Sequence, residues 1–208
     1  VTHIQEEKKD TPAMANILMR GAYDQVGEQV AAAPPAVLHD LPAGAPANRL
    51  GLAQWLVDPA NPLTARVTVN RFWQEVFGIG IVATPDDFGI MGAAPSHPEL
   101  LDWLAAELVA KGWSRKALVR EIVLTKTYRQ SSDHRPELLD RDPKNQLLAR
   151  QNRFRVEAEI VRDLSLAAAG LLSPKVGGPS VFPPIPDGVA DVNYNSAFKW
   201  KTSEGEDR

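Results

Sequence analysis

"NPLTARVTVNRFWQEVFG", residues 61–78, decides how the chain is read. Counting from Ala65, apolar side chains fall at Ala65, Val69, Phe72, Trp73 and Val76. The intervals i, i+4, i+7, i+8 and i+11 keep them on one side of a helix with 3.6 residues per turn. Thr64 is placed to cap the N-terminus, Leu63 to act as the preceding staple, and Gly78 to stop the helix. Val67 and Val69 also alternate as a strand would, so the first turn has two readings. Arg66 and Asn70 sit four residues apart on the shoulder of the stripe that carries Trp73. With the Trp73 ring they could form a platform for a sugar or a carboxylate. The other reading makes them buried anchors that hydrogen-bond loop carbonyls. Arg71 and Glu75 are spaced for an i,i+4 ion pair on a more exposed side.

Helical signals continue on both sides of this stretch. "RLGLAQWLVD" is a short helix that ends before Pro59. "IGIVATPDDFGIMGAAP" has no helical period and reads as a loop with one short extended piece. "SHPE" has the form of a capping box, with Ser96 at the N-cap and Glu99 three residues on. Leu100, Leu101, Leu104, Leu108 and Val109 then form an apolar face, closed by Gly112. Ser114 caps a further helix with Leu118, Ile122 and Val123 inward and Tyr128 near its end. "DPKNQLLARQN" reads as a helix capped by Asp142 with Pro143 at its first position. The last long helix is "RVEAEIVRDLSLAAAG", stopped by Gly170. Residues 1–47 read as an irregular lead-in that closes with the Ala/Pro linker "AAAPPAVLHDLPAGAPAN", laid over a neighbour. "GGPSVFPPIPDG" and the polar tail show no regular pattern. The expected fold is mainly α: an irregular helical domain over residues 48–208, with long Pro/Gly-rich loops and extended termini.

Composition narrows the functions open to it. A chain of 208 residues with 44% hydrophobic and 24% charged residues can bury a real core. A net charge of -3 argues against whole-molecule attraction to nucleic acid. No apolar run is long enough for a membrane span, and the polar opening "VTHIQEEKKD" shows no targeting peptide. The absence of cysteine excludes disulfides, thiolate metal sites, a cysteine nucleophile and c-type haem attachment within this piece. Charge is uneven: residues 111–163 carry 13 Lys/Arg against 8 Asp/Glu, and residues 1–110 carry 6 against 13. A basic helical face suits an anionic polymer. The alternative is a solvated face laced with i,i+4 pairs such as Arg155–Glu159.

Other candidate chemistry lies in two places. Asp86, Asp87, His97, Glu99 and Asp102 fall within seventeen residues, a set able to bind a divalent metal or to do acid–base work. Their spacing matches no metal motif, and turn formation or capping accounts for several of them, so no metal site is expected. Glu159 and Arg162, with Arg155, Glu157 and Asp163, concentrate charge beside an apolar face. They fit an intrahelical network, a clamp onto another segment, or a carboxylate pair. "GGPSVFPP" has the glycines of a phosphate loop without its Lys-Ser/Thr, and no serine lies in a nucleophile elbow.

Taken together, "NPLTARVTVNRFWQEVFGIGIVATPDDFG", "PSHPELLDWLA", "GWSRKALVREIVLTKTYRQSS" and "NRFRVEAEIVRD…GGPSV" resemble the planctomycete-specific domain known as domain-of-unknown-function family 1553. The resemblance covers roughly residues 49–208. It implies a module at the C-terminal side of large exported proteins, placed in the periplasm or outside the cell. Those proteins often carry cytochrome c-type modules and sometimes lectin-like ones. The family pattern continues past "SEGEDR", so the chain is expected to stop inside the domain. The resemblance brings no established activity or catalytic residue, and any haem belongs to a module outside this piece. The functional expectation is an interaction or scaffold domain without a cofactor of its own, whose partners are other domains of the same polypeptide. The competing expectation is a module that binds or processes polysaccharide.

Overall fold

Five α-helices and one β-hairpin make up the regular structure of the computed structural model, which describes residues 14–138, 140–186, 188–189 and 201–204. The polar opening at residues 1–10 and most of the polar tail, both expected to be irregular, lie outside the described residues. Among the described residues the protein is mainly helical. No helix there is long and apolar enough to cross a membrane. The chain divides into two compact units, Val1–Phe154 and Arg155–Arg208.

In the first unit, β1 (Met14–Leu18) pairs antiparallel with β2 (Val26–Ala31), Met14 opposite Ala31 and Leu18 opposite Val26. This corrects the expectation of irregular structure in that stretch. Its strands have no alternation to read, because nearly every side chain in both is exposed. The chain then crosses the start of α1 (Arg49–Leu56), whose first amides, Leu50 and Gly51, are taken by the Asn48 side chain. Trp55 of α1 donates from Nε1 to the His39 carbonyl at 2.7 Å, and its ring stacks on His39. The Ala/Pro segment is thus fastened to α1 by a buried indole.

The helix of the opening stretch is α2 (Thr64–Phe77). Its buried residues are Val69, Asn70, Trp73 and Phe77, so the inward stripe is rotated by about one residue from the expected one. Thr64 is its first residue and does not cap it. Asn61 takes that role instead, its Oδ1 accepting the amides of Leu63 and Thr64 at 3.0 Å each. This Asx turn over Pro62 takes the amide just before α2 and the first amide within it. Gly78 ends α2 in the left-handed region, at φ +79°.

Along α2 packs α3 (Pro98–Ala110), with Leu101, Leu104, Ala105 and Leu108 buried. The expected capping box is absent. Ser96 lies one residue too early, His97 holds the N-cap position, and no side chain caps the helix. Gly112 and Trp113 both adopt positive φ and close α3 with a paired motif, Trp113 N to Leu108 O and Gly112 N to Val109 O. Next, α4 (Arg115–Leu124) starts at Ser114, whose Oγ accepts from Ala117 N, and buries Leu118 and Ile122 against both earlier helices. Tyr128 sets its ring edge-on to Phe77.

No helix forms over residues 142–152. The Asp142 carboxylate takes the amides of Gln146 and Leu147, and Asn145 and Leu148 adopt φ +51° and +54°, which a right-handed helix excludes. Asn145, buried, bonds Arg150 O and Asn152 Oδ1, and Asn152 Nδ2 reaches the Phe77 carbonyl at the end of α2. Side-chain amides tie this coil down where helical hydrogen bonds were expected.

The second unit carries α5 (Ala158–Ala168), ended by Gly170 at φ +71°. Arg155 precedes its first turn, and no ion pair joins Arg155 to Glu159 among the described residues. No residue of α5 is buried.

The core of the first unit gathers around Val69, Phe77, Leu108, Leu118 and Ile122. Phe77→Ala should therefore lower stability by about 3–5 kcal/mol, whereas Leu164→Ala on α5 should stay within about 0.5 kcal/mol. Urea unfolding of each variant checks the contrast.

Candidate functional site

The polar residues of α2 and the segment after it were the leading candidates, and the structure gives each a position. Asn70 is fully buried between Val69 and Trp73. Its Oδ1 accepts Val82 N at 2.8 Å and its Nδ2 donates to Val82 O at 3.0 Å. One side-chain amide thereby satisfies both backbone groups of a residue 12 positions on, as a neighbouring strand would. That bond draws Ile81 and Val82 into the core. Gly80 makes the approach possible: a Cβ there would lie 2.7 Å from Asn70 Nδ2. Trp73 is 5% exposed, its ring stacked on Phe77 with centroids 4.2 Å apart.

The rest of the 79–97 segment closes on itself. Ile81 O accepts from both Ser96 N and Ser96 Oγ, at 2.9 and 3.2 Å. His97 Nδ1 lies 3.0 Å from Ser96 Oγ; with that hydroxyl proton given to Ile81 O, the ring nitrogen donates. Thr84 Oγ1 donates to Asp87 O and accepts Ala93 N, while Asp87 Oδ1 accepts Gly89 N at 2.8 Å. Asp87 and His97 thus serve the turns they stand in.

Two charged residues of α2 reach outward. Arg66 Nε meets Asp102 Oδ1 of α3 at 2.6 Å, and its Nη1 donates to Pro62 O. Arg71 pairs with Asp86 at 3.1 Å rather than with Glu75. The hydrogen bond from Arg66, then its charge, holds the Asp102 carboxyl below the ordinary carboxylate range, with desolvation opposing in part. Asp102 is exposed and Arg66 half-buried, so solvent screens the pair and its contribution to stability is small. Glu159 and Arg162 belong to α5 in the second unit, both exposed.

Within the first unit the structure joins Arg66 to Asp102 and Arg71 to Asp86. It does not assemble Arg66, Asn70 and Trp73 into one open platform, because Asn70 and Trp73 face the core. A hollow of about 80 Å³ beside Trp73, Ile81, Ala94 and Leu148 holds two or three waters by volume, well short of a ligand pocket. A more open hollow of about 430 Å³ lies between the Pro42–Pro46 strap and the end of α1. The one acidic side chain on its wall, Asp58, has Oδ1 bonded to Ala60 N. Among the described residues no group of three or more His, Asp or Glu is placed to hold a metal ion.

Asn61, Thr84, Asn145 and Asn152 do structural work that sequence reasoning missed. Only Asn61 carried a usable signal, as an Asn-Pro turn ahead of a helical pattern.

These features define a mainly helical module whose connecting segments are held by side-chain amides and hydroxyls. The chain belongs to the family PSD1, protein of unknown function (DUF1553), whose model matches residues 48–208. No curated protein matches the chain, and no solved structure does.

Asn70→Ala should cost about 1–3 kcal/mol for each of the two Val82 groups it strands. Asn70→Asp keeps one bond but turns a buried oxygen towards Val82 O, so its defect should shrink on acidification as the carboxyl gains a proton to donate. Urea midpoints from pH 7 down to pH 4 measure both. Asp102 behaves in the opposite sense: its depressed folded value gives stability that is present above the unfolded value and lost as pH falls through the folded one. Arg66→Met should return the Asp102 titration, followed by carboxyl NMR, to that of a free carboxylate.

Proposed function

We propose that residues 48–208 form a non-catalytic interaction or scaffold domain, led in by residues 1–47. In this reading it belongs to an exported, periplasmic or extracellular planctomycete protein that also carries cytochrome c-type modules. Its partners are the other domains of the same polypeptide, and it takes no cofactor of its own. The observation that supports the reading is the inward use of Asn70 and Trp73: the side chains best suited to greet a ligand hold the 79–97 segment and the core. An irregular architecture with long Pro/Gly-rich loops and extended termini suits a module that lies against others.

A second reading, polysaccharide binding, draws support from one feature outside that site. The exposed side of α4 carries cations that no carboxylate neutralises among the described residues. On neither reading is nucleic acid or a membrane span involved.

The scaffold reading expects no turnover when the chain is incubated with a panel of glycans and redox substrates. It expects retention of the chain on immobilised c-type cytochrome domains from its own polypeptide. Reproducible turnover that survives repurification, or passage through that column at low salt, overturns it.

A further inference from the structure

Elsewhere in the first unit about half of the described cations are ion-paired, while Arg20, Arg141, Lys144 and Arg150 contact no carboxylate among the described residues. Arg66, Arg71, Lys111, Arg135 and Arg153 each contact a carboxylate. From Arg115 to Arg129 the pattern changes. Arg115, Lys116, Arg120, Lys126 and Arg129 are all exposed, and none has a side-chain partner among the described residues. The only carboxylate between residues 112 and 132 is Glu121, which is held by Lys111 at the end of α3. Leu118 and Ile122 bury the opposite side of α4. Lys116 and Arg120 therefore project outward one turn apart, about 5–6 Å at Cβ, a like-charge i,i+4 pair that costs the free protein a little stability. On α4 itself no i,i+4 ion pair forms among the described residues, although Lys111 makes one with Glu107 at the end of α3.

From this surface we propose that the outward face of α4, with Lys126 and Arg129 beyond it, binds a linear carboxylated polysaccharide. The inference rests on the second reading above and names its ligand class and its site. Charge complementarity sets the sign of the partner, and the chemistry of the face selects among polyanions. A folded acidic protein needs an apolar centre to its interface, and the one large apolar side chain exposed along α4 is Leu124. The same lack of apolar surface disfavours an anionic membrane. Single-stranded nucleic acid calls for open aromatic platforms, but Trp113 and Tyr128 pack against the core. Duplex DNA presents a charge every ~1.7 Å, far denser than cations one helical turn apart. A polyuronate spreads its carboxylates one to a sugar ring along a flexible, narrow chain that a convex helix can meet without a groove. Arg120 and Arg129 supply planar forks that match a carboxylate in two bonds.

The test is affinity electrophoresis of the 208-residue chain through gels containing polygalacturonate, with dextran, dextran sulfate, duplex DNA and polyglutamate in parallel gels. Retardation by polygalacturonate at low salt, relieved at high salt, is expected, with weaker or no retardation in the other gels. Lys116→Gln/Arg120→Gln should weaken binding about tenfold while leaving the melting temperature unchanged or higher. Arg141→Gln/Lys144→Gln, with the same change in net charge, should bind as the parent does. Equal loss in both double variants overturns the site. Stronger retardation by DNA, polyglutamate or dextran sulfate than by polygalacturonate overturns the ligand class. Retardation by neutral dextran alone overturns this inference but leaves the polysaccharide reading standing, and no retardation by any glycan removes both.

Discussion

The bidentate bond from Asn70 to Val82 is the constraint on which the rest of the first unit depends. Segment 79–97 contains neither helix nor strand, so its backbone groups have no ladder to satisfy them. Burying Ile81 and Val82 in that state would strand an N–H and a C=O, at a cost comparable to what their side chains gain. Asn70 removes that cost with one planar group whose donor and acceptor match the peptide it faces. Only then can the segment close the side of α2 that α3 leaves open. The site is exacting on both sides, since the bond needs an amide at 70 and a bare Cα at 80.

The same device recurs at smaller scale. Asn48 and Asn61 hold the first amides of α1 and α2, Asp142 holds two amides of a coil, and Asn145 with Asn152 ties that coil to the end of α2. Short polar side chains compete with helical hydrogen bonding for nearby backbone groups, so each also sets where regular structure stops. The helices supply a compact apolar centre, and the amides convert the irregular remainder into a defined surface around it. Stability should be unevenly distributed as a consequence, highest in α2, α3 and α4 and lower in the β-hairpin, whose side chains are almost all exposed.

The helices were legible in sequence because an apolar stripe is a periodic signal. Phe72, Trp73 and Val76 announce α2, and Leu101, Leu104 and Leu108 announce α3, whichever residues cap them. The caps were legible only in part: Ser114 caps α4 as its position suggests, whereas the capping box at Ser96 is a local pattern that tertiary contacts overrule. Ser96 gives its hydroxyl to Ile81 instead, a partner fifteen residues back that no window around Ser96 contains. The coil at 142–152 fails for a related reason. Asp142-Pro143 has the composition of a helix start, yet Asn145 turns to positive φ to reach Arg150 and Asn152. The hairpin escaped notice because strands exposed on both faces show no alternation. At the candidate site, chain position favoured Asn70 as an anchor for a loop carbonyl over a ligand contact, and the path of the following loop supplies the partner, Val82.

Inward amides and outward charges therefore divide the labour of this domain. Asn70, Ser96, Asn145 and Asn152 are spent on backbone groups, and replacing any of them disturbs the fold before it disturbs a surface. Lys116 and Arg120 stand in the reverse position, contributing nothing to packing and repelling one another on α4. A surface under no constraint would settle on alternating signs, which stabilise an exposed helix by a few tenths of a kcal/mol per pair. A run of five unpaired cations forgoes that gain, and a partner that supplies the missing negative charge restores it. The proposed polysaccharide site thus rests on residues that the fold does not need, which is where a binding surface can change without loss of the structure beneath it.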